Sequence, residues 1–114
     1  MSKDEKNAML AEHLAKFRSW NYAQLAERVE RDSRDHECLE HIEATAPDGT
    51  VVQLEFNVCW DDKSGGDVRV YGDLSAEPQR PLLGFIPIYT SDVTDSFIMR
   101  SDGSFVGEPD ANAA

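Results

Sequence analysis

The amino-acid sequence predicts an α+β fold, with one or two N-terminal helices packed on a curved antiparallel β-sheet of about five to six strands joined as a hairpin meander. Three observations predict it. Leu10, Leu14 and Phe17 recur at helical spacing near the start; Val52, Leu54, Phe56, Val58 and Trp60 alternate strictly with Gln53, Glu55, Asn57 and Cys59; and a turn of recognisable chemistry joins that stretch to the run before it. Side chains on a strand point to opposite faces with period two, so Val51 to Trp60 is a half-buried strand that no helix can accommodate.

The elements follow in chain order. Ser2 with Glu5 three residues later has the form of a capping box, which opens a helix over Lys3 to Arg18. Ser19, Trp20 and Asn21 interrupt the pattern. Asn21 with Gln24 can then cap a second helix that carries Leu25 and Val29 and ends near Arg31, or the whole is one kinked helix. Trp20 and Tyr22 are read as packing at that junction. After a polar connection from Asp32 to His36, a first strand is expected from Cys38 to Ala46. In the turn Ala46-Pro47-Asp48-Gly49-Thr50, Pro47 suits the second position of a type I turn and Gly49 the positive φ of the following bulge. Pairing Ala46 with Thr50 sets Ala44 opposite Val52, Ile42 opposite Leu54, Glu40 opposite Phe56 and Cys38 opposite Val58.

Beyond Trp60, Asp61 to Asp67 reads as a loop, and Val68 to Leu74 as a third strand with Val68, Val70 and Leu74 on one face. Gly72 falls on that apolar side, a mark of a bend or of close approach by an aromatic ring. Leu82 to Tyr89 is the most apolar run, yet Pro87 makes it an edge strand or a strand that stops at Ile86. A second Asp-Gly hairpin is expected from Ser96 to Arg100 and Ser104 to Gly107 around Ser101-Asp102-Gly103. The 114 residues suit one domain, residues 1–107, with 108–114 as a disordered tail.

Charge divides the chain unevenly. Residues 1–36 hold seven basic and seven acidic residues; residues 37–114 hold four basic against fifteen acidic and carry the whole net charge of −11. Such a surface repels phosphate backbones, which disfavours nucleic acid and anionic membranes and leaves a basic partner as the natural electrostatic complement. No signal-like or spanning apolar run is present, so a soluble, cytoplasmic protein is expected. Cys38 and Cys59 fall on opposite faces of one hairpin, which predicts two free thiols.

No phosphate-binding loop, nucleophile elbow, His-Glu-x-x-His or Cys-x-x-Cys occurs, so no cofactor or metal is implied. Weaker constellations remain. If the first strand reaches back to His36, then His36, Cys38 and Glu40 share the face of Ile42 and Ala44, with Trp60 near His36. That group has the residue types of an acid-base pair or metal site, or else marks where the strand becomes wet. His41, opposite Glu55 on the other face, reads as a polar cross-strand contact. Asp61, Asp62 and Asp67 lack the spacing of a calcium loop.

The phrase Trp20-Asn21-Tyr22-Ala23-Gln24-Leu25-Ala26 in two short helices, followed by a curved antiparallel sheet, resembles the nuclear-transport-factor-two-like and cystatin-like group of α+β folds. That resemblance implies a cone between helices and sheet, lined here by Trp20, Glu40, Phe56, Val58 and Trp60; His36 and Cys38, at the open end of the same apolar face, complete the candidate pocket. It also implies binding or small-molecule isomerase, hydrolase or dehydratase chemistry. The chain departs from the pattern in lacking a third helix between the first strands and an inward Asp-His pair. The expected function is therefore a small non-catalytic domain of bacterial type. It would bind a basic protein or a small apolar ligand through its acidic sheet surface or a helix-sheet cavity. The alternatives are a cone-pocket enzyme using Glu40 and His36, and a homodimer through Leu82 to Tyr89.

Overall fold

A computed structural model of the chain describes residues 1–76, 81–82, 86–87 and 92–108. Two helices lie on one face of a four-stranded antiparallel sheet. The first, α1 (Lys3–Arg18), begins with the capping box that Ser2 and Glu5 foreshadow: Glu5 N–H donates to Ser2 Oγ at 3.1 Å and Ser2 N–H to Glu5 Oε1 at 3.3 Å. The second, α2 (Tyr22–Asp35), is a separate helix because Asn21 and Gln24 form the same reciprocal cap at its start. It runs four residues past the expected end at Arg31. Asp32 is buried there and taken up by Arg28, whose guanidinium also donates to the carbonyls of Cys38 and Leu39, so a polar stretch that reads as connection is held as helix. The helix closes at His36 in the left-handed region, φ 56°.

The strands are β1 (Glu40–Thr45), β2 (Val51–Trp60), β3 (Val68–Ala76), β4 (Pro81–Leu82), β5 (Ile86–Pro87) and β6 (Val93–Met99). The main sheet has the order β1-β2-β3-β6, every pair antiparallel. β4 and β5 pair only with each other, so the described residues show four strands in the sheet where about five to six were expected, and Leu82 and Ile86 face each other across a ribbon instead of continuing one strand. The remainder of the run from Leu82 to Tyr89 lies outside the described residues, as does the tail apart from Glu108.

The β1-β2 register is the one the turn dictates, with Ala44 opposite Val52, Ile42 opposite Leu54 and Glu40 opposite Phe56. Gly49 takes φ 89°, and Ala46 N–H donates to Thr50 O at 2.8 Å. At the far end the ladder slips. Leu39 N–H donates to Phe56 O at 2.8 Å, one residue out of the register that pairs Glu40 with Phe56, and the buried Leu39 replaces Cys38 as the residue turned toward the core. The strand therefore starts at Glu40 and not at Cys38.

The second hairpin repeats the first: Arg100 N–H donates to Ser104 O, Gly103 has φ 88°, and Asp102 Oδ1 accepts from Ser104 N–H as Asp48 Oδ1 does from Thr50 N–H. Its return leg is shorter than expected, one bridge between Met99 and Phe105 and one bond from Val106 N–H to Ile98 O.

The core lies between sheet and helices. Leu10, Leu14, Phe17, Leu25 and Val29 from the helices meet Val52, Leu54, Phe56, Val70, Leu74 and Phe97 from the strands. Phe56 is fully buried opposite Gly72, and a Cβ on Gly72 would stand 2.6 Å from its ring. The missing side chain is what leaves room at this point of β3 for the Phe56 ring and the end of Leu10.

Candidate functional site

The seven residues expected to line a helix-sheet cavity are not gathered into one. Phe56 and Val58 are part of the packed core. Glu40 sits at the edge of the covered face with its carboxylate paired to Lys16 of α1. His36 is exposed at the C-cap of α2, on a different element from Glu40, because the strand does not extend back to it. Cys38 is half-buried in the connection between them, and burial pushes its thiol up from the ordinary cysteine value, with Glu55 adding to the effect. Trp60 pairs with Val68 and packs half-buried against the core, so nothing in the ladder brings it to His36.

Trp20 packs edge-on against Phe17, 5.4 Å between ring centroids, and lines an open cleft of about 530 Å³ with Arg18, Tyr22, Met99 and Phe105. The Arg18 guanidinium lies 4.7 Å from the Phe97 ring centroid and 5.0 Å from that of Phe105, and it pairs with Glu108 at 2.8 Å. That arrangement locks the second hairpin to the end of α1, which is a structural use of the cation.

The distinctive surface is the other face of the sheet. Strand parity puts His41, Glu43 and Thr45 of β1, Gln53, Glu55, Asn57 and Cys59 of β2, Arg69, Tyr71, Asp73 and Ser75 of β3, and Thr94, Ser96 and Ile98 of β6 on it, and both helices lie on the opposite side. No described element covers it. The residues run in rows across the strands: His41 opposite Glu55, Glu55 opposite Asp73, Asp73 opposite Thr94. Two carboxylates thus face each other directly, an arrangement that destabilises a sheet.

Seven described carboxylates have a cationic partner, and none of the seven is in the Glu43, Glu55 and Asp73 group. Lys6 pairs with Asp92, Lys16 with Glu40, Arg18 with Glu108, Arg28 with Asp32 and Arg69 with Asp61, whereas no described cation lies within ion-pair distance of Glu43, Glu55 or Asp73. Among the described residues Glu43 accepts from the neutral amide of Gln53 and Glu55 from that of Asn57. Partial burial raises the Asp73 carboxyl above the ordinary aspartate value and the facing Glu55 raises it further. Tyr71 is raised too, first by burial and then by Cys59, Asp73 and Glu55.

A shallow groove of about 670 Å³ runs along β3 and β6 on this face, lined by Cys59, Arg69, Tyr71, Asp73, Thr94 and Ser96. The Tyr71 ring beside the Asp73 carboxylate offers an incoming cation an aromatic surface and a counter-charge together. Sequence parity assigns Tyr71 and Asp73 to one side of their strand but does not mark them as a site. The β2-β3 loop, Asp61 to Asp67, is too long and too rich in Gly to fix which residue of β3 faces Glu55. Within the loop Asp61 takes both Nε and Nη2 of Arg69, and Tyr22 Oη donates to the loop carbonyls of Gly65 and Gly66.

Both cysteines are free thiols, Cys59 on the bare face with its thiol raised by burial. Among the described residues no group of three or more His, Cys, Asp or Glu side chains is placed to hold a metal ion, and no helix is long and apolar enough to cross a membrane. Compared with known proteins, the chain matches no protein-family model, no curated protein and no solved structure.

Proposed function

We propose that this chain is a binding domain that engages a basic protein partner through the bare face of its sheet. The observation that carries the proposal is the row in which Glu55 and Asp73 oppose each other without a cation, on the one broad face that no described element covers. Like charges held side by side cost stability in the free protein, and a partner's Lys or Arg set between them relieves that cost on binding. Tyr71 and Asp73 in the groove are the anchor residues on this reading, with Glu43 and Glu55 extending the field toward β1.

Support lies with the bare face and not with a helix-sheet cavity, because Phe56 and Leu10 fill the space between the layers and Lys16 occupies Glu40. The likeness to the nuclear-transport-factor-two-like and cystatin-like group is one of element order, helices followed by an antiparallel meander. We infer from it a shared layout and no shared chemistry.

The test is affinity capture with the wild-type chain and a triple variant, Glu43→Gln with Glu55→Gln and Asp73→Asn, at low and high salt. Partners of high isoelectric point should be retained by the wild type at low salt and lost with the variant. A partner set that survives both the triple substitution and high salt contradicts the proposal, since exposed charges act through a field that salt screens.

A further inference from the structure

The two edges of the sheet are not alike. On the β6 side, Phe105 bridges Met99 and Val106 N–H donates to Ile98 O, so that edge is partly occupied. On the β1 side, the strand pairs with β2 alone among the described residues. The turn tells which of its backbone groups are free. Ala46 and Thr50 form a hydrogen-bonded pair, and in an antiparallel ladder bonded and non-bonded pairs alternate, so Ala44, Ile42 and Glu40 bond to β2. The N–H and C=O groups of His41, Glu43 and Thr45 therefore point away from the sheet. All three residues are exposed.

The side chains along this edge are of two kinds. On the covered side Ile42 and Ala44 are only half-buried, because the helices lie against β2, β3 and β6. On the bare side stand His41 and Glu43, with Glu55 in the next strand. A second copy of this chain is a poor occupant. It would set one acidic edge against another and bring together two chains of net charge −11. An extended segment with alternating apolar and basic residues matches both sides.

We propose, resting on the bare-face reading, that the β1 edge takes up an extended segment of the basic partner as an added strand. The apolar residues of that segment cover Ile42 and Ala44, and its Lys or Arg residues lie beside Glu43 and Glu55. Backbone bonds to His41, Glu43 and Thr45 give the segment its direction and register, and the carboxylates select its charge.

The experiment uses an acetylated octapeptide alternating Val and Lys as probe, with an octapeptide alternating Val and Glu as control. Binding of the Val-Lys peptide should slow hydrogen exchange at the amides of His41, Glu43 and Thr45, and the control should not bind. Methylating the backbone nitrogens of one alternate set of its residues should weaken binding about tenfold, while methylating the other set should leave it near the parent value. His41→Pro removes one outward donor and keeps every carboxylate, and it should also weaken binding.

Three results overturn strand addition: no binding at millimolar peptide, no protection on β1, or equal binding by the parent and both methylated peptides. The two readings fail separately. If Glu55→Gln with Asp73→Asn abolishes peptide binding while backbone methylation and His41→Pro do nothing, the bare-face reading stands and strand addition falls. If the β1 amides are protected equally by the Val-Lys and Val-Glu peptides, the edge accepts strands without regard to charge and the basic partner falls.

Discussion

On the covered face of the sheet, Val52, Leu54, Phe56, Val70 and Leu74 lie under the two helices; on the bare face, the residues that alternate with them are Gln53, Glu55, Asn57, Tyr71 and Asp73. The same two strands carry both sets. On the covered face each neighbour makes room for the next, as when Gly72 gives up a side chain so that the Phe56 ring can lie on it. On the bare face one pair of neighbours repels: Glu55 and Asp73 stand opposite each other, while Lys6, Lys16, Arg18 and Arg28 of the helices are committed to Asp92, Glu40, Glu108 and Asp32. That a face arranged against its own stability serves a use outside the fold is the physical content of the proposed function.

If the division is right, substitutions on the covered side should move stability and those on the bare side should move binding. The largest effect is expected from Phe56→Ala, which empties a fully buried site and should cost about 4 kcal/mol in urea unfolding. Arg28→Ala should cost about 3 kcal/mol, because it strands the buried Asp32 carboxylate and two strand-entry carbonyls. A loss within a few tenths of a kcal/mol would mean that the clasp between α2 and β1 is ornamental. Gly72→Ala should cost about 2 kcal/mol by driving a methyl group into the Phe56 ring, and a neutral result would show that the ring can move aside.

Asp73→Asn, on the bare face, carries the opposite sign. It should raise stability at pH 7 by roughly half a kcal/mol by removing the like-charge pair. The pH dependence follows from the raised carboxyl. In the folded chain Asp73 holds its proton to higher pH than in the unfolded chain, where aspartate titrates at about 3.9. Below that unfolded value both states are protonated and the penalty is absent; it grows as pH rises through the folded value. The gain from Asp73→Asn should therefore be full at pH 7 and vanish near pH 3.5 by thermal melting. A gain that persists in acid would assign it to some cause other than charge.

Legibility from sequence varied along the chain for identifiable reasons. The β1-β2 register was readable because a five-residue turn with Pro47 and Gly49 leaves one pairing, and the hydrophobic parity of Ile42 and Leu54 agrees with it. The start of β1 was not. It depends on Arg28, ten residues upstream, reaching the carbonyls of Cys38 and Leu39 and thereby fixing where α2 stops and the strand begins. The grouping of His36, Cys38 and Glu40 failed at the same point, since a left-handed cap at His36 and a slipped bond at Leu39 break the period-two geometry that would have aligned them.

What the sequence determined by itself was local: the two capped helices, the alternating strand from Val51 to Trp60, the two Asp-Gly turns, and the acidity of the second part of the chain. These depend on spacing and backbone preference within a few residues. The tertiary structure decided which acids meet. Glu55 and Asp73 are eighteen positions apart and become neighbours only through the pairing of β2 with β3. The cations that pair with Asp92, Glu40, Glu108 and Asp32 come from helices laid on the opposite side. A face left acidic is a property of what was placed elsewhere, and no stretch of sequence records that.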